Sequence, residues 1–72
     1  MTAGEFLEAF AAEVGAPVPT AEELETLLAL AALAAHSSER LAAPLACWMG
    51  GVSGRPASEL LAAAQRLVSG TD

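Results

Sequence analysis

The feature that most constrains this chain is a long uncharged segment, rich in Leu and Ala, near its middle. The segment covers residues 26–38 and lies just after Thr20 and Glu23, whose spacing matches a capping box at a helix N-terminus. Beyond Glu25 apolar residues lie on every side of the helix, which is typical of a buried helix. We therefore predict a central apolar helix from about residue 21 to residue 36.

An amphipathic helix is predicted before the central one. Its apolar residues recur at helical spacing, with Glu5 and Glu8 on the opposite side; they are Phe6, Leu7, Phe10 and Val14. Gly15 marks its end, because a glycine just past the last periodic residue is a common helix stop and two prolines follow.

Two short helices are predicted after the central one. Pro44 is tolerated only in the first turn of a helix, so the third helix begins at about residues 42–44. Its apolar stripe consists of Leu41, Leu45, Trp48 and Met49. Pro56, at a first helical position, opens a fourth helix that Gly70 closes. The prediction is one all-α domain over residues 1–72, a compact bundle of four short helices around a central apolar helix (about 21–36).

Composition excludes several classes of function. The single Cys47 and single His36 cannot form a disulfide or a four-ligand zinc site, so no metal and no cofactor are expected. The net charge of −6 argues against nucleic acid as a partner. The longest uncharged runs are shorter than the roughly 20 residues of a membrane span. The N-terminus has no signal-peptide pattern, so we expect a cytoplasmic protein.

The chain's rare residues cluster between the second and third helices. His36, Glu39 and Arg40 place an imidazole, a carboxylate and a guanidinium close together in sequence. Two interpretations stay open: these side chains bind an anion or a partner, or His36 and Arg40 bond to the last carbonyl groups of the central helix. No second catalytic group accompanies them, and we do not expect an enzyme.

The other candidate site residues are Pro44, Trp48 and Arg55. Trp48 is interpreted either as a core residue of a small domain or as part of a contact surface. Arg55 precedes the fourth helix, where backbone amides could help to bind a carboxylate or phosphate, but the signal is weak and a solvated Arg is the simpler interpretation. Cys47 is interpreted as a small buried hydrophobic residue.

One stretch resembles a known family. The pattern Ala35-His36-x-x-Glu39-Arg40-x-Ala42-Ala43-Pro44-Leu45, followed by Trp48 and glycines at 50 and 54, resembles a small actinobacterial family of unknown function. Its members are short stand-alone proteins, and they look like the C-terminal extension of some molybdenum cofactor guanylyltransferases. The resemblance covers most of the chain but is specific only over residues 35–54. The chain departs from the family pattern at Leu41, Ala46 and Cys47. The resemblance implies a link to molybdenum cofactor maturation but supplies no catalytic residues.

Two functional hypotheses follow. The first is a non-catalytic accessory module that binds a partner protein or an anionic small molecule near His36 and Arg40. The second is a homo-oligomeric helical interaction protein without a small-molecule site, because the central helix is too apolar to be hidden within one short chain. In the second case the chains would pair through the second and third helices.

Overall fold

The computed structural model describes residues 1–70, and these residues form four α-helices. They are α1 (Ala3–Val14), α2 (Ala21–Ser37), α3 (Ala42–Ser53) and α4 (Ala57–Ser69). The all-α fold class is confirmed, and the bounds of α2 and α3 lie close to the predicted ones. The fourth helix begins one residue later than predicted, since Pro56 is its extended N-cap residue and not its first helical residue.

The N-termini of α1 and α2 are both closed by capping boxes. In α2 the Thr20 hydroxyl accepts a bond from the Glu23 amide at 3.1 Å, and the Glu23 carboxylate accepts from the Thr20 amide at 2.8 Å. Thr2 and Glu5 form the same pair of bonds at the start of α1, at 3.1 and 2.6 Å. Each box satisfies amides that have no partner within the helix, so both helix starts are fixed locally.

The start of α3 is stabilised in a different way, by the preceding turn. Leu41, the N-cap residue, makes no side-chain capping bond. The carbonyl groups of Glu39 and Arg40 instead accept bonds from the amides of Ala42 and Ala43, at 2.9 and 3.1 Å. Pro44 follows in the first turn, where its missing N–H leaves no donor unsatisfied.

The predicted glycine stop of α1 is confirmed. Gly15 adopts the left-handed conformation with φ 71°, and its amide donates to the carbonyl of Ala11. Gly54 ends α3 with φ 73° and donates to Gly51. A side chain at either position would strain the backbone, so these glycines define where the two helices end.

Helix α2 is the element on which α3 and α4 assemble, as predicted for the central helix. Both helices pack extensively against it. Leu30, in the middle of α2, has the most buried large side chain of the described chain, at 5% exposure. The Cys47 thiol of α3 lies 4.0 Å from the carbonyl oxygen of Leu27, which shows how closely α3 approaches α2.

The burial of α2 is incomplete. Leu24 and Leu28 lie one turn apart on a face that neither α3 nor α4 covers, and Leu28 is 61% exposed. The expectation that α2 is buried on all sides is therefore wrong for this face. Two packed helices are too few to cover the whole circumference of a third.

Helix α1 contributes little to this packing. Within residues 1–70 it makes at most slight contact with another helix. The radius of gyration is 13.0 Å and the molecule measures 42 × 22 × 19 Å, whereas about 11 Å is typical of a globular domain of this length. None of the helices in this part of the chain has both the length and the apolarity needed to cross a bilayer.

The close approach of α3 and α4 depends on a glycine. A Cβ atom added at Gly50 would lie 2.5 Å from Cδ1 of Leu60, whereas one added at Gly51 would meet nothing within 4 Å. Gly50 is buried and Gly51 is exposed. The absence of a side chain at position 50 thus leaves room for Leu60.

These two neighbouring glycines allow a matched test of the α3–α4 contact. We expect Gly51→Ala to stabilise the protein by about 0.5–1 kcal/mol, because alanine favours a helix over glycine. Gly50→Ala should give a smaller gain or none, because the Leu60 side chain has to move. Urea unfolding of both variants measures the difference. Equal stabilisation by the two substitutions would contradict the contact.

The capping box of α1 makes a prediction about pH. Hydrogen bonds from the backbone and then the side chain of Thr2 lower the pKa of the Glu5 carboxyl below its ordinary value. The pKa of Glu5 is lower in the folded state than in the unfolded state. The capping box therefore adds its full stabilisation above the unfolded-state pKa, and this stabilisation is lost as pH falls through the folded-state pKa. An NMR titration of Glu5 should show a depressed pKa, and the Thr2→Ala variant should raise it. This rise should be partial, because alanine keeps the backbone amide that donates to the Glu5 carboxylate. A Glu5 pKa that is not depressed in the parent protein would contradict this account.

Candidate functional site

Helix α3 places its small residues against the rest of the protein. Ala43, Ala46 and Cys47 are half-buried and Gly50 is buried. These residues recur at spacings of three and four positions, so they lie on one side of the helix. Small side chains allow α3 to lie close to α2 and α4.

The large apolar residues of α3 lie on the opposite side and are exposed to solvent. We call this set the α3 stripe. It consists of Leu41, Leu45, Trp48, Met49 and Val52. All five are between 53% and 68% exposed, and their spacing confines them to an arc of roughly 100° around the helix axis.

The interpretation of Trp48 as a core residue is wrong. At 68% it is the most exposed member of the α3 stripe. The periodicity correctly grouped Leu41, Leu45, Trp48 and Met49 on one face, but that face is turned away from α2. An exposed Trp in a row of apolar side chains is typical of a binding surface, since Trp is enriched at the energetic centres of protein interfaces.

A second apolar feature is a cleft between the ends of three helices. Its volume is 420 Å³. Leu30 and Leu33 of α2, Ala42 and Ala46 of α3, and Ala64, Leu67 and Val68 of α4 provide its apolar lining. Ser37 and Ser38 provide hydroxyl groups at the same end. The lining contains no ionisable side chain, so the cleft can offer apolar contact and hydrogen bonds but no group for acid–base chemistry.

The residues His36, Glu39 and Arg40 do not form a common helix face. Helix α2 ends at Ser37, and Glu39 and Arg40 belong to the turn before α3. All three are exposed. The helix end is capped by Ser38, whose hydroxyl donates to the carbonyl of Ala34 at 2.7 Å. The side chain that bonds to the Ala34 carbonyl is therefore that of Ser38, and not that of His36 or Arg40 as one interpretation had it.

The remaining predicted site residues lie on or beside α3. Pro44 is exposed in the first turn, one turn from Trp48 and at the border of the α3 stripe. Arg55 is exposed in the link to α4, where its amide donates to the Ser53 hydroxyl at 3.3 Å. Among residues 1–70, no three His, Cys, Asp or Glu side chains are grouped so that they could hold a metal ion.

Several residues of this surface were missed by the sequence analysis. Leu45, Met49 and Val52 were not chosen as site residues because periodicity alone does not say which face of a helix is exposed. The signal was nevertheless present, since the opposite face of α3 carries only Ala, Cys and Gly. A helix that packs with its small residues must expose its large ones.

The cap of α2 can be tested by comparing three exposed side chains. We expect Ser38→Ala to destabilise the protein by about 0.5–1.5 kcal/mol, because it removes the bond to Ala34. His36→Ala and Arg40→Ala should each stay within about 0.5 kcal/mol of the parent protein. Thermal unfolding monitored by circular dichroism measures all three. A larger loss in Arg40→Ala than in Ser38→Ala would mean that Arg40 has a structural role.

Comparison with known proteins identifies the family of the chain. No curated protein and no solved structure is significantly similar to the chain. A family profile described as "Domain of unknown function (DUF6457)" matches residues 1–72. Because the match extends over the whole chain, the chain belongs to the DUF6457 family.

Proposed function

We propose that the chain is a non-catalytic protein-binding module and that its binding surface is the α3 stripe. The observation that carries the proposal is the outward orientation of five large apolar side chains with Trp48 among them. Monomeric soluble proteins rarely expose a continuous apolar patch of this kind, and such patches usually mark interaction sites. A partner that covers the stripe would remove this apolar surface from water.

The predicted site residues fit the rim of such a surface. His36, Glu39 and Arg40 precede the stripe, and Arg55 follows it. Protein interfaces combine an apolar centre with a polar, solvent-accessible rim. In this proposal Pro44 and Trp48 belong to the apolar contact, and the two Arg residues favour a partner whose matching surface is acidic. The same Arg residues could bind an anionic small molecule, but His36 lies on α2 and Arg40 in the turn before α3, and both side chains are exposed.

The resemblance in residues 35–54 indicates where a heterologous partner would act. Related sequences look like the C-terminal extension of molybdenum cofactor guanylyltransferases of actinobacteria. A module of this type would bind such an enzyme in the cytoplasm and contribute to molybdenum cofactor maturation as an accessory protein. The proposal assigns the chain no chemical step of its own.

Matched surface variants test the proposed function. Trp48→Ser removes the largest side chain of the stripe, whereas Leu28→Ser removes an equally exposed apolar side chain from α2. We expect Trp48→Ser to weaken protein binding at least about 30-fold, as for an interface hot spot, and Leu28→Ser to leave it within a few-fold. Two experiments measure binding. Calorimetric titration against a molybdenum cofactor guanylyltransferase measures binding to the enzyme, and dilution calorimetry of the chain measures self-association. Binding that is absent from both, or unaffected by Trp48→Ser, would overturn the proposal.

A further inference from the structure

We propose that the α3 stripe is covered by helix α1 of a second copy of this chain, and that the two copies exchange their α1 helices reciprocally. The inference rests on the proposed function, because it takes the same surface and names its occupant. It depends on three properties of the described chain: the exposed face of α1, the distribution of charge, and the area available for burial.

Helix α1 is only partly covered in its own chain: Ala11 is buried and Leu7 half-buried, but the larger side chains of its apolar face remain exposed. Phe6 and Phe10 are 53% and 52% exposed, and Val14 on the next turn is also exposed. The two rings stack with their centroids 5.9 Å apart, which makes one continuous aromatic surface. Helices α1 and α3 each contain 12 residues, so each is about 18 Å long and their faces match in length.

The charge distribution favours α3 as the surface that receives α1. Helix α1 carries Glu5, Glu8 and Glu13 and no basic residue. Helix α3 carries no charge, and the charged residues nearest to its two ends in sequence are Arg40 and Arg55. An acidic helix that lies along α3 would therefore meet Arg55 at one end and Arg40, beside Glu39, at the other, without the cluster of glutamates found at the start of α2.

Two other exposed apolar faces are less suitable. The exposed residues Leu24 and Leu28 of α2 lie in a region that also contains Glu22, Glu23 and Glu25. A docked α1 would meet like charge there. Pairing of two α1 helices would likewise bring glutamates together, which is unfavourable. Charge thus selects contact between α1 and α3 over contact between α1 and α2 or between two α1 helices.

The available area matches what a stable dimer needs. The chain exposes 5512 Å², whereas a folded monomer of its mass typically exposes about 4,100 Å². Taking roughly 150–250 Å² for a whole large side chain, the exposed parts of the α3 stripe with Phe6, Phe10 and Val14 amount to on the order of 800 Å². A reciprocal exchange buries this area on both copies, and about 800 Å² per partner is the standard size of a specific interface.

The proposed contact is reciprocal and therefore closed. Each copy would give one α1 helix and receive one, so both copies use the same two surfaces. The segment between α1 and α2 contains Pro17 and Pro19, which restrict its conformations. A restricted link lowers the entropy that the chain loses when α1 is held against the second copy.

The reciprocal contact can be tested by mixing two variants. Phe10→Lys should disrupt the α1 face and Trp48→Glu the α3 stripe, and each should raise the dimer dissociation constant at least about 30-fold. An equimolar mixture should dimerise again, because one α1–α3 contact is then intact and the other pairs Lys with Glu. Sedimentation velocity over a concentration series measures the association. Leu28→Glu is the control and should remain as dimeric as the parent protein, and circular dichroism establishes that all variants are folded.

The possible results separate this inference from the proposed function. A monomeric parent protein that binds a guanylyltransferase through Trp48 would overturn the inference and leave the proposed function standing. A dimer lost in Trp48→Glu but retained in Phe10→Lys would also overturn it, since the second copy would then cover the stripe without α1. The inference is also overturned if the parent protein is a monomer and Phe10→Lys increases the quenching of Trp48 fluorescence by acrylamide. In that case α1 would cover the α3 stripe of its own chain. If Trp48→Glu changes neither self-association nor binding of the enzyme, the inference and the proposed function both fail.

Discussion

The close packing of α3 through its small residues is the constraint on which the rest of the structure depends. Gly50 leaves room for Leu60 of α4, and Cys47 approaches the backbone of α2. Because this side of α3 is occupied by the core, every large side chain of the helix has to lie on the other side. The exposed α3 stripe is thus a direct result of how the core is built, and the proposed function follows from the same contact.

The N-termini of α1 and α3 are stabilised in different ways. The capping box at Thr2 and the left-handed Gly15 define α1 without help from another helix. Helix α3 has no side-chain cap and depends on the carbonyl groups of the preceding turn. Local hydrogen bonds therefore stabilise α1, whereas tertiary packing stabilises α3. This difference explains how α1 can be helical while its aromatic face lies largely in solvent.

The sequence predicts the helices well because their signals are local. The Thr20–Glu23 pair and Gly15 mark helix ends through bonds within a few residues, and the same signature at Thr2 and Glu5 could have been used to start α1. The small residues opposite Leu41, Leu45 and Trp48 could have indicated that α3 packs through its small face, but periodicity alone does not say which of the two faces meets α2. Of the candidate site residues chosen from the sequence, Pro44 and Trp48 lie on or beside the α3 stripe and the charged ones flank it. Met49 and Val52 join them only once the packing of α3 is known.

The pair Gly50–Gly51 in the last turns of α3 has a consequence for the dynamics of the surface. Glycine costs a helix about 1 kcal/mol relative to alanine at each position, so the end of α3 has little intrinsic tendency to stay helical. Local opening of that segment would release Val52 first, whereas the turn that holds Leu41 is anchored by its backbone bonds. Such opening would change the shape of the α3 stripe near Val52 while leaving Leu41 in place, so the stripe could fit partners of slightly different shape.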